Sequence, residues 1–131
     1  MKKDPVVHFE MPAKDNARVS KFYTEVFGWD MQQLGAEMGN YVLAQTTEVD
    51  ENNMAKNPGA INGGFFEYKK EPGFQHPHVV ISVDDLEKSM ELVKKEGGKI
   101  LGEPMNIPGI GMYVSFEDTE ENRVGMLQPS K

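Results

Sequence analysis

The residues with chemistry to offer come in matched pairs. A shift of 70 positions places His8 on His78, Asp15 on Asp85 and Gly28 on Gly98. A shift of 72 places Gly39-Asn40-Tyr41-Val42 on Gly111-Met112-Tyr113-Val114. Repetition of a pattern reveals architecture before any single motif does. Twin imidazoles in a duplicated fold point to one shared site on a pseudo-twofold axis. Glu10 lies two residues after His8, on the same face of a strand. A carboxylate beside an imidazole has the makings of a base that takes a proton next to a carbonyl. Two histidines and a carboxylate are also donors that suit several divalent metals.

The competing readings are structural. The histidines can line a wet cavity, and Glu10 can pair with a cation such as Arg123. Tyr41 and Tyr113, the twin tyrosines, can line a pocket or pack in the sheet. Gly63-Gly64 reads either as a bulge or as a place where a ligand nears the backbone.

The elements that must position these groups follow from periodicity. Val6 to Met11 alternates as a strand, with Val7, Phe9 and Met11 on one face and His8 and Glu10 on the other. Asp15 or Asn16 can cap the next helix, whose apolar stripe is Val19, Phe22, Tyr23, Val26 and Phe27; Gly28 stops it. Strands are expected over 29–34, 41–46 and 60–68, with a polar, mobile loop over 47–58. In the second copy a strand opens at His78, with Val79, Ile81 and Val83 on the core face. Asp84 and Glu87 have capping-box spacing. Leu86, Met90 and Val93 form the helical stripe, which ends at Gly97-Gly98. Strands then follow near 99–101, 112–117 and 123–128, with 103–111 as a connecting loop. The order is βαβββ twice: residues 1–68 form the first module, 69–75 a linker and 76–131 the second module. The fold class is α+β. A pair of ferredoxin-like units is disfavoured, because one helix per half is too few.

Composition sets outer bounds. The chain has 131 residues, 38% hydrophobic and 27% charged, with a formal charge of −7. That balance disfavours nucleic acid and anionic membrane as partners. It suits a neutral or cationic small molecule. The absence of cysteine excludes disulfides, thiolate metal sites and cysteine nucleophiles. No apolar leader or membrane span is visible, so the expected location is the cytoplasm.

The stretches V-V-H-F-E-M-P-A-K-D, F-Y-T-E-V-F-G-W, I-N-G-G, H-V-V-I-S-V-D-D, I-P-G-I-G and D-T-E-E-N-R-V-G-M-L-Q-P together resemble the vicinal oxygen chelate superfamily. It includes glyoxalase I, bleomycin-resistance proteins and extradiol dioxygenases, and the resemblance covers nearly the whole chain. It implies two tandem βαβββ modules forming a curved, incompletely closed mixed sheet around a cavity, with helices outside, and a homodimer. In metal-dependent relatives such as glyoxalase I, each module supplies one metal ligand from its first strand and one from its last. The first-strand positions correspond to His8 and His78. The last-strand positions, usually carboxylates, fall on Gly125 and on Gly63 or Gly64. Half the usual set is therefore missing, which makes a glyoxalase I reaction doubtful.

A catalytic metal can manage with three protein ligands, and Glu10 is the candidate third beside His8 and His78. The expected metal is iron, nickel, zinc or manganese, or none. If present, it would polarise a substrate oxygen or acidify a bound water. The substrate pocket is expected to involve Tyr41, Gly63, Gly64, Tyr113 and Gly125. The resemblance thus leaves a metal-assisted lyase, isomerase or dioxygenase-like enzyme, a metal-free drug-sequestering protein, and a bare dimerisation module.

Overall fold

The structure, a computed structural model, describes residues 2–52 and 54–130. It is α+β, with the order βαβββ occurring twice. The first pass comprises β1 (Val6–Ala13), α1 (Asn16–Phe27), β2 (Asp30–Gln33), β3 (Val42–Gln45) and β4 (Asn62–Glu67). The second comprises β5 (His78–Ser82), α2 (Leu86–Lys95), β6 (Lys99–Ile107), β7 (Gly111–Glu117) and β8 (Arg123–Pro129). His8–Pro77 make one compact unit; the chain from His78 onward, with the first residues up to Val7, makes the other.

In the first unit the strand order is β2-β3-β4-β1, with β1 and β4 parallel and the rest antiparallel. The second repeats this as β6-β7-β8-β5, with β5 and β8 parallel. The parallel pair in each module forces a crossover, and the helix supplies it.

Strand alternation divides the faces. In the first unit Ala13, Val42, Ala44 and Phe65 are buried, with Phe9, Met11, Val19, Tyr23, Trp29 and Met31 packed against them. Tyr23 stacks on Trp29 at 4.6 Å between ring centres and meets Phe65 at 5.3 Å. Fully buried side chains of this size contribute about 1.5–3 kcal/mol each. In the second unit Val83, Leu86, Met90, Val114 and Met126 form the core, with Ile81, Val93 and Ile100 among those packed against it. A one-residue slip of any strand would turn its apolar set outward. That constraint also fixes the face on which His8 and Glu10 stand.

Both helices start on an aspartate. Asp15 accepts from the N–H of Arg18 at 2.9 Å, and Asp85 from the N–H of Lys88 at 3.2 Å. The second cap is thus Asp85 rather than the expected Asp84. Position 85 keeps the 70-residue correspondence with Asp15, whereas Asp84 forms an ion pair with Lys2. Gly28 ends α1 in the left-handed region at φ 71°, as expected.

Three further expectations are corrected. Residues 103–107 continue β6 rather than forming a loop. Gly102 at φ 80° and a register shift between Leu101 and Met105 carry the strand past Pro104. Val79 is 39% exposed instead of packing under α2, because β5 has only just begun at His78. The stripe on α1 meets the core through Val19 and Tyr23; Phe22, Val26 and Phe27 are exposed, with the Phe27 ring 5.9 Å from those of Tyr23 and Trp29. The polar stretch expected to be a loop closes on itself: Asp50 N–H donates to Met54 C=O and Lys56 N–H to Glu48 C=O.

Candidate functional site

The alternation of β1 that buries Phe9 and Met11 sends His8 and Glu10 to the face away from α1. The register then brings β4 beside them, with His8 opposite Asn62 and Glu10 opposite Gly64. On the other edge of β4, Leu43 is opposite Gly64. Tyr41 lies two residues before Leu43, so its side chain shares that face and reaches diagonally over Gly64.

The result is a chain of polar atoms. The Tyr41 hydroxyl donates to Glu10 Oε2 at 2.7 Å and lies 3.0 Å from His8 Nε2. A phenol has one proton to give. Since that proton goes to Glu10, His8 Nε2 meets the phenol oxygen as the N–H donor. The order is therefore imidazole N–H to phenol to carboxylate. A bond to a carboxylate is of the stronger, charge-assisted kind. All three side chains are half-buried.

The glycines resolve into different roles. Gly63 faces the helix side, where a Cβ would stand 2.5 Å from the ring edge of Phe9. Gly64 faces the His8 side, and a Cβ there would stand 2.0 Å from Tyr41 Cε2 and 2.2 Å from its Cζ and hydroxyl oxygen. The last-strand position left open between these two glycines is therefore Gly64.

The second module repeats the device with other neighbours. Ser115 and Val80 both lie opposite Gly125. Tyr113, two residues before Ser115, lies over Gly125: a Cβ there would be 2.7 and 2.8 Å from Tyr113 Cε2 and Cζ. Ser115 Oγ is 3.5 Å from the Tyr113 hydroxyl. The position matching Glu10 is Val80, only 3% exposed. His78 opens β5 in this unit.

The structure thus gathers His8, Glu10, Tyr41 and Gly64 in one unit, and Tyr113 with Gly125 in the other. What sequence reasoning missed is the role of Tyr41 as the bridge between His8 and Glu10. Its twin relation to Tyr113 was the available signal. The contact itself crosses from β3 over β4 to β1 and leaves no local pattern. A depression of about 540 Å³ lies elsewhere, near Ser82–Asp84, Gly111–Met112 and Gln128–Ser130. Asp84 is its one ionisable lining group, so it lacks an acid–base pair. Asp118 has its carboxyl held below the usual range, first by the Asn122 side chain and then by the backbone N–H groups of Asn122 and Glu120. It organises the turn between β7 and β8.

The donor set does not fit the metal of glyoxalase I. Among the described residues, no three His, Asp or Glu side chains are grouped so as to hold an ion. His8 Nε2 faces the Tyr41 hydroxyl at 3.0 Å. Both last-strand positions are glycines covered by a phenol ring.

A βαβββ module used twice, with its polar groups on the helix-free face of the first copy, defines a protein of the glyoxalase-like fold. Residues 6–126 match the Glyoxalase/Bleomycin resistance protein/Dioxygenase superfamily, and the chain belongs to it. A glyoxylase-like domain-containing protein of Didymella fabae is 30% identical over 120 residues, covering 86% of this chain and 84% of that one. A probable lactoylglutathione lyase of Vibrio cholerae is 26% identical, covering 94% and 89%. Among solved structures, Streptomyces coelicolor methylmalonyl-CoA epimerase, in complex with 2-nitronate-propionyl-CoA, superposes with TM-score 0.70 at 12% identity, covering 96% and 97%. At that identity the likeness shows the fold alone. No helix among the described residues is long and apolar enough to cross a membrane.

Proposed function

We propose that this chain is a lyase- or isomerase-type enzyme that moves a proton on a carbon next to a carbonyl, with Glu10 as the base and no catalytic metal at the His8 and His78 positions. The observation that carries this reading is the ordered chain from His8 Nε2 through Tyr41 to Glu10 Oε2. A carboxylate fixed by a phenol is oriented before substrate arrives, and orientation is a large part of what a general base needs. When Glu10 takes the substrate proton, the carboxyl becomes neutral. The neutral carboxyl can then return a proton to the carbon, and exchange with solvent in the interval leaves deuterium there in D2O.

The names of the similar proteins suggest probes. Lactoylglutathione and methylmalonyl-CoA are both thioesters with a hydrogen on the carbon beside the carbonyl. Each is incubated with the protein in D2O, and loss of that hydrogen is followed by proton NMR. Exchange with at least one thioester is expected, falling about 100-fold or more in Glu10→Gln. Saturable binding of both with exchange of neither would replace the enzyme with a metal-free holding protein, the reading that the charge of −7 favours for a cationic compound. The expected assembly is a homodimer, read directly by light scattering.

A further inference from the structure

We infer that Tyr41 and Tyr113 are the residues that determine what this protein accepts: each rests on a glycine, fills the volume a side chain there would need, and presents a phenol hydroxyl where a metal-holding carboxylate would otherwise stand.

The inference comes from the geometry occurring twice. Tyr41 lies over Gly64 from two residues before Leu43, which is opposite that glycine. Tyr113 lies over Gly125 from two residues before Ser115, which is opposite that one. Neither Gly64 nor Gly125 has a positive φ. Backbone conformation therefore does not demand glycine at either place. The ring above does. The two residues of each pair depend on each other: a side chain on the strand and the ring in its present place exclude each other.

The consequence is chemical. In both modules the glycine has no group to chelate a divalent ion, and the phenol over it makes hydrogen bonds. The phenols are not equivalent in what surrounds them. Tyr41 is bonded into His8 and Glu10, while Tyr113 stands beside Ser115 and over the strand that carries Val80. The first module has an ionisable pair beside its phenol, and the second a serine hydroxyl beside its own. The ligand class is an organic molecule held by hydrogen bonds to phenol and carboxylate, as opposed to one chelated through adjacent oxygens to a metal. This inference stands whether or not the proton-transfer reading does, because its tests need no turnover.

The test is a pair of double-mutant cycles with a metal titration. Gly64→Ala is made in the native chain and in Tyr41→Ala; Gly125→Ala is made in the native chain and in Tyr113→Ala. In each cycle the glycine substitution is expected to lower the melting temperature clearly with the ring present, and to lose most of that effect with the ring removed. If Gly64→Ala does not fold, recovery of folded protein in Tyr41→Ala/Gly64→Ala is the same positive result. Additive effects in both cycles would overturn the matched pairs, as would failure of the double variants where the tyrosine variants alone fold. Nickel, zinc, iron and manganese ions are then each added to the native chain. No saturable rise in melting temperature is expected. A saturable rise that His8→Ala abolishes would overturn the exclusion of metal.

Discussion

Replacing Tyr41 by phenylalanine removes one oxygen and leaves the ring where it is, over Gly64. The oxygen makes two bonds: it donates to Glu10 Oε2 at 2.7 Å and accepts from His8 Nε2 at 3.0 Å. A hydrogen bond to a charged group contributes about 1.5–3 kcal/mol, and one between neutral groups about 0.5–1.5. Both partners here are half-buried, so water can replace part of what is lost, and the lower ends of those ranges apply. The expected loss is about 1–2 kcal/mol, read as a fall in the urea midpoint at unchanged slope. The sharper measurement is the cycle with Glu10→Gln. Because the phenol donates to that carboxylate, the two changes should couple by about 1 kcal/mol. Additivity within about 0.3 kcal/mol would refute the claim that Tyr41 holds Glu10, whatever the single substitutions cost. A changed slope would mean that the ring had moved, in which case Tyr41→Leu serves as the control for packing.

Three further outcomes follow from the fold. Asp15→Ala and Asp85→Ala should each cost about 1 kcal/mol by urea denaturation, since each removes the helix N-cap and its bond to Arg18 or Lys88. Phe65→Ala, at a site 2% exposed, should cost about 3–5 kcal/mol, enough to leave little folded protein on gentle heating. Asn122→Ala should raise the Asp118 carboxyl toward its ordinary value in an NMR titration. A carboxyl depressed in the folded state stabilises above its unfolded pKa and loses that contribution as pH falls through its folded one. The variant should therefore lose less stability than the parent between ordinary carboxylate pH and more acid conditions.

The parts of this molecule that were readable in advance are those that depend on local periodicity. Alternation in β1 separated His8 and Glu10 from Phe9 and Met11, and the stripe Leu86, Met90, Val93 identified the inner face of α2. The misreadings have equally physical origins. Pro104 suggested a loop because proline removes a ladder donor, but Gly102 supplies the bend that lets β6 continue. Capping-box spacing pointed to Asp84, while the 70-residue correspondence with Asp15 pointed to Asp85, which is the residue that caps α2. Phe22, Val26 and Phe27 fit the helical stripe by spacing, yet they stay exposed, Phe27 beside the rings of Tyr23 and Trp29 at the end of the helix. The choice between Gly63 and Gly64 required the pairing register, which is a long-range property. Tyr41 was visible as one of a pair, but its reach across β4 to Glu10 depends on the order of three strands.

The covering of Gly64 by Tyr41 also constrains how this sequence can change. A carboxylate introduced at position 64 would land in space taken by the outer ring and hydroxyl of Tyr41. Loss of the tyrosine first would leave an opening above bare backbone and would cost Glu10 its tether. A chelating side chain at either glycine thus comes only with movement or loss of the tyrosine above it, so that change at one strand position is tied to change at another across the sheet.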